Sequence, residues 1–121
     1  MKIELLDRQV LPEGFSYPAS LQKIIELNLV SFDIWYLFDK ENGVKRLEGL
    51  RKRYPDRVLV PFARRSDNDD IACLSTNSKK VFIIHDFASA GYEQKEIFSD
   101  VWMWLKYAID TMIDYERMEL E

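Results

Sequence analysis

Two residue types in this chain are natural nucleophile and base, and each occurs once: Cys73 and His85. Their pairing would need neighbouring strands to bring thiol and imidazole within hydrogen-bond reach. Cys73 lies within the apolar run Ile71-Ala72-Cys73-Leu74, where a thiol packs as a small hydrophobe, and that is the expectation here. His85 stands next to Asp86 at the end of Val81-Phe82-Ile83-Ile84. Adjacent strand residues point to opposite faces, so Asp86 is not the natural orienting partner of His85.

The acidic run Asp67-Asn68-Asp69-Asp70 invites a calcium reading. An EF-hand loop counted from Asp67 needs glycine at its sixth place and glutamate at its twelfth. Those places hold Ala72 and Ser78, so a hairpin turn built on Asx side chains is the better reading. One histidine and one cysteine are too few for a structural zinc site. Gly14, Gly43, Gly49 and Gly91 have no phosphate-loop spacing. No cofactor and no metal are therefore expected, and no catalytic constellation emerges.

Charge is unevenly spread. Between Lys45 and Arg65 there are eight basic residues and two acids, although the chain as a whole carries net charge −4. The basic stretch has no aromatic interleaving except Tyr54, and the acidic remainder would repel nucleic acid, so nucleic-acid binding is not expected. The imbalance is compatible with two different partners or simply with a dipolar surface.

The elements that must carry these residues can be read from pattern. At 121 residues, 47% hydrophobic and 31% charged, the chain fits one soluble globular domain spanning 1–121. No apolar stretch has the roughly 18–20 residues a bilayer span requires. The first residues lack a secretory signal's apolar core, and the lone cysteine forms no internal disulfide, so a cytoplasmic protein is expected. Val58–Ala63, Ile71–Leu74 and Val81–Ile84, separated by polar turn clusters, predict an antiparallel meander. Ile3–Leu6 allows a short edge strand. Tyr17-Pro18-Ala19-Ser20 opens a helix ending near Asn28. Ser31–Phe38 is β-prone and nearly all apolar, which predicts a central strand covered on both faces. Val44–Tyr54 predicts a helix stopped by Pro55. Asp86–Glu96 has no clear period and is assigned to a loop.

The last element is a helix opened by Ser99 as N-cap with Asp100 in its first turn. Its expected core face holds Phe98, Val101, Trp102, Leu105, Ala108, Ile109, Met112, Ile113 and Tyr115. Trp104 falls at the boundary, Met103 and Tyr107 fall on the polar side, and Trp35 is placed to line a groove. The fold class that follows is α+β, a twisted and mainly antiparallel sheet with covering helices.

Across Tyr17–Ile113 the order of features resembles the SUKH superfamily of bacterial immunity proteins and fungal cell-wall synthesis regulators. Tyr17-Pro18-Ala19-Ser20-Leu21-Gln22-Lys23 is similar to its "LP" helix entry, and Phe32–Phe38 to the strand that follows. Val60-Pro61-Phe62-Ala63, the acidic turn and Ile71-Ala72-Cys73-Leu74-Ser75 are similar to its "ipfa…gd…cld" core. Lys80–Asp86 looks like the next strand, and Ile97-Phe98-Ser99-Asp100-Val101-Trp102 like the "sF…fl" start of its closing helix. Asn28-Leu29-Val30 replaces the usual glycines, and the turn lacks glycine.

The resemblance implies a non-catalytic, protein-binding domain that neutralises a cognate toxin in the cytoplasm. An acidic surface would suit a basic nuclease toxin. The expected partner-binding residues are Asp67, Asp69, Asp70, Asp86 and Glu93 on strand ends and loops, with Trp35 and Tyr107 as aromatic anchors. The alternative is a regulatory scaffold or ligand-binding module without a toxin partner. The oligomeric state stays open.

Overall fold

The computed structural model describes residues 3–120. Its elements run α1 (Ala19–Glu26), β1 (Trp35–Leu37), α2 (Lys40–Arg53), β2 (Val60–Arg65), β3 (Asp70–Leu74), β4 (Val81–His85), β5 (Gln94–Phe98) and α3 (Val101–Leu120). The strands form one sheet in the order β1-β2-β3-β4-β5, every neighbouring pair antiparallel. The class is α+β, and the predicted meander is present with a further strand at each end. No described helix is long and apolar enough to cross a membrane.

Alternation along the strands gives the sheet two apolar faces. One carries Trp35, Leu37, Val60, Phe62, Ala72, Leu74, Val81 and Ile83, packed with Leu21 and Ile24 of α1 and Val101, Trp104, Leu105 and Ala108 of α3. The other carries Ile71, Cys73 and Ile84, packed with Leu50 of α2, Tyr54, Leu59 and Phe38. The sheet is thus a middle layer, with α1 and α3 on one side and α2 on the other.

Pro61 lies inside β2, where a proline removes a ladder donor. The register between β2 and β3 shifts between Pro61 and Ala63, and a bulge of this kind is where a sheet tolerates proline.

Several boundaries differ from expectation. Residues 3–6 form no strand. Only Trp35–Leu37 of the predicted central strand is regular, and it lies at the sheet edge. It is buried there because the chain before it folds back. Leu37 N–H donates to Val30 O at 2.9 Å, and Ser31 bridges Tyr36. Helix α2 starts before Val44 because Asp39 caps it, its carboxylate accepting the Asn42 N–H at 2.9 Å. Gly43 packs where a Cβ would come 3.1 Å from Leu6 Cδ2.

Strand β5 replaces part of the expected loop 86–96 and the residues just before the last helix. Lys95, Glu96 and Ile97 are exposed, so the strand rests on its main-chain ladder with β4 and has no burial pattern to betray it. The cap of α3 is Asp100, which accepts the Met103 N–H at 2.9 Å, in place of Ser99. The helix phase also differs. Trp104 is fully buried, while Trp102, Ile113 and Tyr115 are exposed. The inward stripe is Val101, Trp104, Leu105 and Ala108, at the i, i+3, i+4, i+7 spacing of a single helical face.

Candidate functional site

Asp86 follows β4 directly, and its carboxylate is wholly buried. Arg53 donates from Nε to Oδ1 and from Nη2 to Oδ2, both at 2.7 Å, a parallel two-donor grip. Arg46 adds Nη1 to Oδ2 at 3.2 Å. The two arginines are seven residues apart on α2, two turns along one face, so a single buried carboxylate collects both. From the next residue, the Phe87 N–H donates to Asp86 Oδ1 at 2.9 Å.

That last bond holds Phe87 at φ 72°, a left-handed conformation that costs a bulky residue about 1–3 kcal/mol. The Phe87 ring is 61% exposed, with the Arg53 guanidinium 4.1 Å from its centroid. A strained backbone thus displays an aromatic ring beside a pair of pinned arginines.

These groups form one wall of a cleft of about 590 Å³ between α2 and the β1–β2 edge. Tyr36 pairs with Arg64 across β1 and β2, which puts both on the α2 side. Lys45, Arg46, Arg53 and Arg64 supply four cations, and Tyr36, Phe38 and Phe87 supply aromatic surface. Asp39 is the acid in the lining. The Asn42 N–H groups hold its carboxyl below the usual carboxylate range, and its oxygens are engaged in capping α2. Four cations face two carboxylates, counting Asp86 beneath them, so the cleft is electropositive in an acidic protein.

The basic stretch seen in the sequence is largely engaged inside the molecule. Arg57 donates to Glu93 and Gln94 at 2.8 Å each, Arg65 makes two 2.9 Å bonds to Asp67, and Arg51 donates to Val10 O at 2.7 Å. The Arg64 side chain has neither a hydrogen bond nor an ion pair within the described residues, and Lys45 has only an exposed contact with Glu41 at 3.6 Å.

The residues expected to bind a partner scatter. Trp35 has no exposed surface and packs edge-on against Trp104 at 5.7 Å, so it lines no groove. Asp86 lies under the arginines. Glu93 is buried against Arg57, whose guanidinium holds its carboxyl below the ordinary range, and it accepts the Gly91 N–H at 2.6 Å. Asp70 is buried between His85 Nδ1 at 2.8 Å and Lys95 Nζ at 3.0 Å. Tyr107 is half-buried beside Trp35 and Phe98 and accepts a 3.4 Å bond from Arg65. Only Asp67 and Asp69 are exposed, and Arg65 holds the Asp67 carboxyl below its usual value.

Sequence reading overlooked Asp70 as the partner of His85, which comes from the neighbouring strand. It also overlooked the Arg46–Arg53–Asp86 triad, for which the seven-residue arginine spacing was the available signal. Cys73 and His85 lie on opposite faces of the sheet: Cys73 pairs with Phe82 on the α2 side, and His85 with Asp70 on the α3 side. Burial pushes the Cys73 thiol up, away from thiolate character. That pair cannot exchange a proton. Among the described residues no group of three or more His, Cys, Asp or Glu side chains is placed to hold a metal ion.

No family model, no curated protein and no solved structure matches this chain.

Proposed function

We propose that this chain is a non-catalytic protein-binding domain, an immunity protein that neutralises a cognate bacterial toxin in the cytoplasm. The observation that carries the reading is the gathering of Asp33, Asp67, Asp69 and Glu116 at one end of the sheet, where of these acids Asp67 is paired with Arg65. The Glu116 carboxyl of α3 lies near that of Asp33, and this like-charge neighbour, with Glu119 adding to it, raises the Glu116 carboxyl above its ordinary value. Asp33 also accepts from the Tyr36 hydroxyl at 2.8 Å, and Ser66, which opens the turn carrying Asp67 and Asp69, donates its N–H to Ile34 O at 2.9 Å. Like charges crowded on an exposed surface are relieved by an incoming cation, and a basic toxin domain brings several.

The test is copurification with a basic toxin domain, comparing the natural chain with a variant carrying Asp67→Asn, Asp69→Asn and Glu116→Gln. Affinity should fall by about 2 kcal/mol or more if a hot spot is included, and should decline with salt. A change within a few tenths of a kcal/mol would remove this surface from the proposal.

The electropositive cleft favours one second reading, a ligand-binding regulatory module without a toxin partner. Recovery of housekeeping proteins alone from the host lysate would support it over the immunity reading.

A further inference from the structure

We infer that the cleft between α2 and the β1–β2 edge is a binding site for a small phosphorylated molecule carrying more than one phosphate group. This site adjoins the acidic end at Tyr36, whose hydroxyl donates to Asp33, but it does not depend on the partner proposed for that end. Asp86 fixes Arg46 and Arg53 before any ligand arrives, so little side-chain freedom remains to be lost on binding. It engages two donors of Arg53 and one of Arg46. The remaining N–H groups of both guanidiniums have no partner among the described residues, and the side chains stay 28% and 23% exposed. Arg64 stands on the β2 side of the cleft with no ion pair of its own, and Lys45 adds a fourth cation. Arginine forks match the oxygens of phosphate, and cations on both walls suit an anion with several charged groups.

The volume, about 590 Å³, fits a small ligand and far exceeds a single phosphate. Size and charge together select against a long polyanion. The chain carries net charge −4, so an extended acidic polymer meets repulsion beyond the cleft, while a compact anion sits within reach of the four cations. The exposed Phe87 ring offers a flat apolar surface at the same site. Its backbone stays at φ 72° with the Phe87 N–H bonded to Asp86, which keeps the ring beside Arg53 at the mouth of the cleft.

The test is calorimetric titration of the full chain with ATP, pyrophosphate and a hexaglutamate peptide at low and moderate salt. The variants Arg64→Gln and Lys45→Gln remove exposed cations without touching the buried Asp86 grip, and their melting temperatures report that the fold is kept. Saturable binding of ATP and pyrophosphate is expected, weakened about fivefold to tenfold by Arg64→Gln, less by Lys45→Gln, and weakened again by salt. Absence of saturable binding for both phosphates at about millimolar concentration would overturn the inference. So would unchanged affinity in folded Arg64→Gln, or hexaglutamate binding as tightly as pyrophosphate, which would assign the cleft to acidic peptide.

Discussion

Arg53 holds Asp86 through two parallel bonds of 2.7 Å, joining the last turn of α2 to the residue after β4. The carboxylate is fully buried while the guanidinium keeps one edge in solvent, so the pair is a tether between helix and sheet as well as a charge site. Asp86→Ala leaves two guanidiniums without their anion and frees the Phe87 N–H. It should lower stability by about 3 kcal/mol in urea unfolding. A loss under about 0.5 kcal/mol would mean the pair merely balances its own desolvation.

Phe87 separates backbone strain from side-chain role. Glycine adopts positive φ freely, so Phe87→Gly should change stability by no more than about 1 kcal/mol, strain relief offsetting the lost stacking on Arg53. Phe87→Val places a β-branched residue in the same conformation and should cost about 2 kcal/mol or more. Equal effects in thermal denaturation would show that Phe87 is not held in this conformation in solution.

Helix α3 is phased by Trp104 and not by Trp102. Trp104 contacts the rings of Phe62, Phe32 and Trp35 edge-on, at 4.9, 6.5 and 5.7 Å. Trp104→Ala should therefore cost about 3–5 kcal/mol, and Trp102→Ala about 0.5 kcal/mol. The reverse order in denaturant titrations would rotate the helix.

Cys73 should behave as core. Its thiol should resist disulfide reagents in the native state and react at a rate that rises with denaturant. Cys73→Ala should lower stability by about 1 kcal/mol and leave partner and ligand binding intact. Loss of binding in a folded Cys73→Ala chain would restore a direct role for the thiol.

Acid should weaken the fold in a defined direction. Arg57 depresses the Glu93 carboxyl and the Asn42 N–H depresses Asp39, so both contribute stability above the ordinary carboxylate range. That contribution is lost as pH falls through the lowered folded-state values, below about 4.5. Stability measured at pH 7 and at about pH 3.5 should differ less in Arg57→Gln than in the natural chain. An equal difference would mean that the Arg57–Glu93 pair is not formed in solution.

The sequence by itself determined the local elements whose signals are short-range. The three apolar runs of the meander, the proline-opened α1 and the proline-terminated α2 follow from side-chain period and backbone restriction, which act within a few residues. Where the signal was absent or ambiguous, neighbours in space decided. Strand β5 has no apolar alternation and exists because β4 offers a free edge. The two tryptophans of α3 are two residues apart, so one must face outward, and the aromatic pocket of Phe32, Trp35 and Phe62 admits Trp104. Charges show the same division. Their numbers along the chain are plain, but Arg46, Arg53 and Asp86 are joined across 33 and 40 positions. Ion pairing depends on distance in space, and only the packed sheet and α2 bring Asp86 beneath two arginines and leave Arg64 and Lys45 facing an open cleft.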